Sequence, residues 1–194
     1  MLNRKIAPYK IILASGSPRR QQFFRDLGLD FEIRLREIEE VFPPELKASE
    51  ITDYLARLKA DAFDDLQPGE ILVTSDTIVW HNGQALGKPK DYDDAVHILR
   101  SLSGATHQVF TSVCFKTSGK TETITDVTQV TFNTLTDQEI AYYLDTCKPY
   151  DKAGAYGIQE WIGFVAVRKI EGSYANVMGL PVDKVYAYLN NFKP

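Results

Sequence analysis

The segment "KIILASGSPRRQQFF", Lys10 to Phe24, constrains the fold first, because an apolar run stops at Gly-Ser-Pro and a charged stretch begins at once. "KIILA" reads as a buried strand. Ser17 followed by Pro18 reads as a helix start, since a proline at the first helical position has no amide hydrogen to leave unpaired. Phe23, Phe24 and Leu27 mark the buried face expected of that helix, and Gly28 marks its stop.

The same alternation continues down the chain. "FEIRL" is a second strand, and Pro43 and Pro44 force an extended crossover. From Ser49 the spacing of Ile51, Tyr54, Leu55, Leu58 and Ala62 predicts a helix, with Lys59 beside the apolar stripe near its end. "EILVTSDTIVW" is a strong strand with a polar interruption, and "HNG" after it signals a hairpin, because Asn and Gly tolerate positive φ. A capped amphipathic helix follows over "DYDDAVHILRSLSG", from Asp91 at the cap to Gly104 at the end. Two β-rich segments come next, then a helix opened by a Thr136 and Glu139 capping box. A Gly-rich stretch, "DKAGAYGIQ", precedes a strand expected around "GFVAVRKI" and a closing helix after Pro181. Helices join some strands and hairpins join others, which predicts an α/β fold on a mixed sheet with flanking helices. No repeat, low-complexity tract or flexible linker appears, so residues 1–194 are expected to form one continuous domain with two lobes.

Bulk properties narrow the function. With 194 residues, 44% of them hydrophobic and 25% charged, the chain has the make-up of an ordinary globular protein. A net charge of -4 argues against a nucleic-acid-coating role, so an anionic ligand requires a locally positive pocket. Cys114 and Cys147 are far apart in sequence and give neither a zinc knuckle nor a redox pair, which fits a reducing cytoplasm. "MLNRKIAPYK" lacks the features of a signal peptide, and no apolar run reaches the ~18 residues of a membrane span.

Several residue groups carry chemistry. A strand that ends in Gly-Ser and opens directly into a helix gathers backbone amides and a partial positive charge at one spot. That spot suits phosphate, and Arg19 and Arg20 add guanidinium forks; the alternative is a solvated helix start with two solubilising arginines. Asp76 stands in an apolar strand, where a carboxylate is costly to bury without a cation, a metal or a cavity. It is a candidate base or metal ligand, or else the structural partner of an arginine. Lys59 and Lys88 are each readable as solvated lysines, and Gly154 as a simple turn residue. Glu39 and Glu40 suit a hard cation such as Mg²⁺ or a solvated loop. Ser75 lacks a nucleophile-elbow setting, and His81, His97 and His107 have no metal spacing.

"LASGSPRR", "SDTIV", "LGKPKD", "LSGATHQVFT", "DKAGAYGIQ" and "GSYANVMGLP" together resemble, in order and spacing, the Maf family of nucleoside triphosphate pyrophosphatases. The resemblance implies an elongated fold with two lobes around a nucleotide cleft, as in inosine-triphosphate pyrophosphatases, a divalent cation (Mg²⁺ or Mn²⁺) and a homodimer. Carried over by position, it makes Asp76 the catalytic carboxylate, assisted by Lys59 and Lys88, and puts Ser15, Arg19, Arg20, Thr77 and Gln159 around the substrate. Glu40 also falls beside the substrate and, with Asp76, is the expected metal ligand. One branch of the family, acting on 7-methyl-GTP, tends to have Trp-Arg for Arg19-Arg20, Asp-Gln for Asp76-Thr77, and Glu at Gln159. This sequence has the set of the dTTP/UTP branch, which releases pyrophosphate and leaves the monophosphate. It departs from the pattern at Glu160, where glycine is common, and at Ala105, where a basic residue is frequent. An inosine-triphosphate-type house-cleaning pyrophosphatase and a non-catalytic nucleotide-binding regulator of cell division stand as alternatives.

Overall fold

The computed structural model describes residues 2–193, the side chains of Asn3 and Arg4 excepted. In chain order the elements are α1 (Leu2–Ile6), β1 (Lys10–Leu13), α2 (Pro18–Asp26), β2 (Phe31–Ile33), α3 (Ser49–Asp61), β3 (Glu70–His81), β4 (Gln84–Leu86) and α4 (Tyr92–Leu102). Then come β5 (Thr106–Lys116), β6 (Thr121–Phe132), α5 (Asp137–Cys147), a 3-10 turn (Ala153–Ala155), α6 (Trp161–Val165), β7 (Val167–Glu171), α7 (Tyr174–Val177) and α8 (Val182–Asn190). No described helix is long and apolar enough to cross a membrane.

The strands form one seven-stranded mixed sheet in the order β2-β1-β3-β5-β6-β7, with β4 paired to β3. β1 is parallel to both β2 and β3, so Leu13 lies opposite Ile33 on one side and Val73 on the other. Parallel neighbours need a crossover, and α2 and α3 occur where the chain must make one. β4 is antiparallel to β3 through the two-residue turn Asn82-Gly83, both at positive φ, as the hairpin signal requires.

The chain packs as two compact units. The first comprises residues up to Asp76, Thr111–Asp126, and residues from Gly179 on. Its central strands β1 and β3 are buried on both faces, and period-2 alternation divides their side chains. Ile11, Leu13, Ile71 and Val73 pack with Phe24 of α2 and Val185 of α8, whereas Ile12 and Leu72 pack with Ala56 and Ala60 of α3. The second unit comprises Thr77–Phe110 and Val127–Met178. Its core joins Val79, Val109 and Phe132 of the sheet to Leu99 of α4, Tyr143 and Leu144 of α5, and Ile162 of α6.

Two local expectations are corrected. Helix α3 buries Ile51, Thr52, Leu55, Ala56 and Ala60, while Tyr54 is exposed and Ala62 lies past the helix end. The buried stripe is turned toward the small residues because Ala56 and Ala60 allow a close approach to β1 and β3. "GFVAVRKI" is not strand throughout: Gly163 to Val165 belong to α6, and β7 begins at Val167. Helical bonds from Gly163 N to Glu160 O (2.9 Å) and Ala166 N to Ile162 O (2.8 Å) close that turn. A Cβ at Gly163 would lie 1.7 Å from the Ile158 carbonyl oxygen, so this tight fold-back requires glycine.

Candidate active site

Strand β3 supplies the central carboxylate. Its even-numbered residues Thr74 and Asp76 share one face. Thr74 Oγ1 donates to Ala56 O at 2.6 Å, and Asp76 Oδ1 accepts from Lys59 Nζ at 2.6 Å. Ala56 and Lys59 are three apart on α3, hence on one helical face, so a single packing contact places both partners. Lys59 Nζ also lies 3.1 Å from Glu40 Oε2. The Asp76 and Lys59 side chains are 9% and 17% exposed and Glu40 is 47% exposed, so the ammonium bridges a buried carboxylate and a half-exposed one.

Glu40 comes from the stretch between β2 and α3, which has no regular structure around it. Arg34 ties the start of that stretch to β3 by donating from Nη2 to Glu70 Oε1 at 3.2 Å. The Arg36 guanidinium lies over the Phe63 ring at 4.8 Å from its centroid, donates to Ala62 O, and pairs with Asp65 at 2.8 Å. These anchors hold the stretch against the end of α3, beside Lys59.

The Gly-Ser-Pro helix start folds as the sequence predicts, with Ser17 at the N-cap and Pro18 in the first turn. The Ser17 side chain makes no capping bond; Ser15 Oγ accepts from Ser17 N at 3.3 Å and Gln21 Nε2 donates to Ser15 O at 3.1 Å. Arg20 turns into the unit, donating from Nε to Gly179 O (2.8 Å) and from Nη1 to Ser75 O (3.0 Å), the residue before Asp76. Burial pushes the Arg20 guanidinium below the ordinary arginine value, Arg19 adds to that shift, and Asp76 and Glu40 oppose it. Three cations, Arg19, Arg20 and Lys59, thus share one neighbourhood with two carboxylates, a locally positive patch on a chain of net charge -4. Ser15, Arg19, Arg20, Glu40, Lys59 and Asp76 all belong to the first unit.

Thr77, Lys88 and Gln159 belong to the second unit. Thr77 follows Asp76 on β3 and points to the other face by alternation. Lys88 is exposed just after β4. Gly154 fixes the Gly-rich stretch beside that hairpin: its amide donates to Gly87 O at 3.0 Å, and a Cβ there would lie 2.6 Å from Val79 Cγ2. Gln159 is half-buried in the turn closed by Glu160 N donating to Gly157 O at 2.9 Å.

Two features are not visible in the sequence. The carbonyls of Ser75 and Gly179 that Arg20 engages carry no side-chain signal. Lys152 is 8% exposed and pairs with Glu160 Oε1 at 3.0 Å and with Asp151 Oδ1 at 2.7 Å. The only sequence cue was a lysine at the head of an otherwise apolar Gly-rich stretch, with a glutamate where the family commonly has glycine.

Comparison with known proteins agrees with this architecture. Solved structures of the Ham1 proteins of Staphylococcus aureus (TM-score 0.54, 14% identity) and Coxiella burnetii (TM-score 0.50, 15% identity) each align over 95% of this chain and 100% of theirs, a likeness of fold. The dTTP/UTP pyrophosphatase of Flavobacterium johnsoniae is 65% identical over 190 residues, covering 97% of this chain and 98% of its own. That of Flavobacterium psychrophilum is 65% identical over 192 residues, covering 98% of each chain, and that of Bacteroides thetaiotaomicron 50% over 183 residues, covering 93% and 95%. The family model described as Maf-like protein matches residues 10–192, and the chain belongs to that family.

Proposed function

We propose that this protein hydrolyses dTTP and UTP between the α and β phosphates, releasing pyrophosphate and leaving the nucleoside monophosphate. The observation that carries the reading is the Lys59 ammonium held between Asp76 and Glu40, with the Arg20 guanidinium beside the same carboxylates. Relatives that are 65% identical over nearly the whole chain and bear the name dTTP/UTP pyrophosphatase support it.

The chemistry follows from the charges. Attack of water on the α phosphorus drives negative charge onto the departing pyrophosphate, and Arg19, Arg20, Lys59 and Lys88 are the cations assigned to meet it. Lys59 engages Asp76 Oδ1 at 2.6 Å, which leaves Oδ2 for one of two roles, orienting and deprotonating the water or holding the metal. Ser15 and the α2 start bind phosphate oxygens. The Gln159 amide both donates and accepts, and so matches the N3–H donor and O4 acceptor shared by thymine and uracil. Thr77 and Arg19 complete the pyrimidine-branch set.

The metal expected on Glu40 and Asp76 would draw on the oxygens that Lys59 leaves open, Glu40 Oε1 and Asp76 Oδ2. No group of three or more His, Cys, Asp or Glu among the described residues is arranged to hold an ion. Two carboxylates nevertheless converge on one cation, the Lys59 ammonium. Such carboxylates, hard oxygen donors, would suit Mg²⁺ or Mn²⁺. When bound, such an ion supplies charge neutralisation on the phosphates. The homodimer that the resemblance implies is part of the same reading, and light scattering of the purified protein tests it.

Hydrolysis of dTTP in ¹⁸O-labelled water tests the bond broken. The label is expected in the monophosphate; label in the pyrophosphate would place the attack at the β phosphorus and remove Asp76 from the assigned geometry.

A further inference from the structure

In the second unit, the turn that carries Gln159 is held by an ionic network outside the catalytic cluster. Tyr143, on α5, is fully buried, and its hydroxyl accepts from Gly157 N at 3.0 Å while donating to Glu160 Oε2. The other carboxylate oxygen of Glu160, Oε1, pairs with buried Lys152 at 3.0 Å. Lys152 and Glu160 thus close the two ends of "KAGAYGIQE", with Tyr143 pinning its middle. Gly157 completes the arrangement, since a Cβ there would lie 2.9 Å from Gln159 Nε2, 2.9 Å from the Glu160 carboxyl carbon and 3.0 Å from Glu160 Oε2. Both head groups therefore rest over the bare α-carbon of Gly157.

A buried ion pair is a poor source of net stability, because desolvation offsets most of the attraction, and its best-attested use is to fix one arrangement among several. Here the fixed arrangement is that of the residue between Gly157 and Glu160 that reads the base. Full engagement of the Glu160 carboxylate by Lys152 and Tyr143 also keeps a negative charge adjacent to Gln159 from competing for the amide's donor hydrogens. Desolvation and the bond to Glu160 hold the Tyr143 hydroxyl well above the ordinary tyrosine range, so it stays protonated and keeps donating.

We propose that Glu160, locked by Lys152 and Tyr143 over Gly157, is a positioning residue that sets the orientation of the Gln159 amide and thereby the discrimination between uracil or thymine and other bases. The proposal rests on Gln159 reading the base, as proposed above. It concerns selectivity rather than the chemical step, so its effects fall on KM and on substrate ranking more than on kcat.

The test is to measure kcat and KM for dTTP, UTP, CTP and GTP with Glu160→Gln, Tyr143→Phe, Gly157→Ala and Gln159→Ala, each checked for folding by circular dichroism and thermal unfolding. Tyr143→Phe keeps the ring and loses only the hydroxyl link, so it remains informative if Glu160→Gln does not fold. The expected result is a loss of discrimination, dTTP over GTP, on the order of tenfold in the first three variants. That loss should appear mainly in KM for dTTP, with Glu160→Asp recovering part of it. Unchanged ranking in folded Tyr143→Phe and Gly157→Ala, while Gln159→Ala alters it, would overturn the proposal and leave the base-reading role of Gln159 standing. Unchanged ranking in Gln159→Ala would overturn both.

Discussion

Replacing Asp76 by Asn separates catalysis from architecture, because the substitution keeps shape and an acceptor oxygen while removing the charge. In the wild type, Asp76 Oδ1 accepts a 2.6 Å bond from Lys59 Nζ. Lys59 keeps its charge, so its bond to the amide oxygen weakens but stays charge-assisted, and the substitution costs about 1 kcal/mol. The larger penalty of about 3–5 kcal/mol for stranding a buried charge does not apply. Lys59 keeps Glu40 at 3.1 Å as its counter-ion. For a chain of this length the unfolding temperature should therefore fall by about 2–4 °C. Such a loss leaves the folded population essentially intact. Turnover, by contrast, should fall by about 100- to 10,000-fold if Asp76 positions and deprotonates the water. The assay is pyrophosphate release from dTTP with Mg²⁺, run beside thermal unfolding of the same preparation. Asp76→Asn turning over dTTP within tenfold of wild type, at a matching unfolding temperature, would refute the assignment and point to Glu40 instead.

Arg20→Ala should weaken triphosphate affinity far more than nucleoside affinity, and should lower stability by about 1–3 kcal/mol because the carbonyls of Ser75 and Gly179 lose their donor. Calorimetric titration and thermal unfolding check the two effects, and Arg20→Lys should rescue them only in part, since a point charge cannot span both carbonyls as the planar fork does. Gln159→Glu should lower kcat/KM for dTTP and UTP relative to purine triphosphates, because an ionised carboxylate only accepts; a competition assay with mixed nucleotides reads the change. His107 predicts an acid limb of stability. Burial, with His81 adding, lowers its pKa from 6.5 to about 3. Between those values the unfolded chain binds a proton that the folded one does not, so stability falls by about 1.4 kcal/mol per pH unit as pH drops from 6.5 toward 3. His107→Gln, which preserves a partner for the Tyr156 hydroxyl at 2.8 Å, should flatten that limb in urea titrations at stepped pH.

Local chemistry made much of the fold legible. Pro18 opens α2, Asp91 caps α4 by accepting from Asp94 N, and the Thr136 and Glu139 box forms as its spacing implies, because each depends on residues within one helical turn. The misread stretches depend on tertiary partners. "GFVAV" has the composition of a strand, yet the fold-back of Gly163 onto the Ile158 carbonyl makes it a helical turn. The stripe of α3 turns toward Ala56 and Ala60, which pack on Ile12 and Leu72 of the sheet, a partner that spacing within the helix does not name.

The site divides in the same way. Asp76 stood out in the sequence as a carboxylate that strand burial would penalise, and Lys59 satisfies it. Nothing local connected the two, which are 17 residues apart and meet only because β3 and α3 pack together. The Arg20 clamp on Ser75 and Gly179 leaves no trace in the sequence, since its acceptors are backbone carbonyls, and the Lys152–Glu160 pair is marked only by the glutamate where the family commonly has glycine.

The decisive measurement incubates purified protein and Mg²⁺ with a panel of nucleoside triphosphates and separates pyrophosphate from orthophosphate among the products. The expected result is dTTP and UTP consumed faster than CTP and every purine triphosphate, with one pyrophosphate and one monophosphate per turnover. Equal rates on GTP or 7-methyl-GTP, or orthophosphate as the primary product, would contradict it.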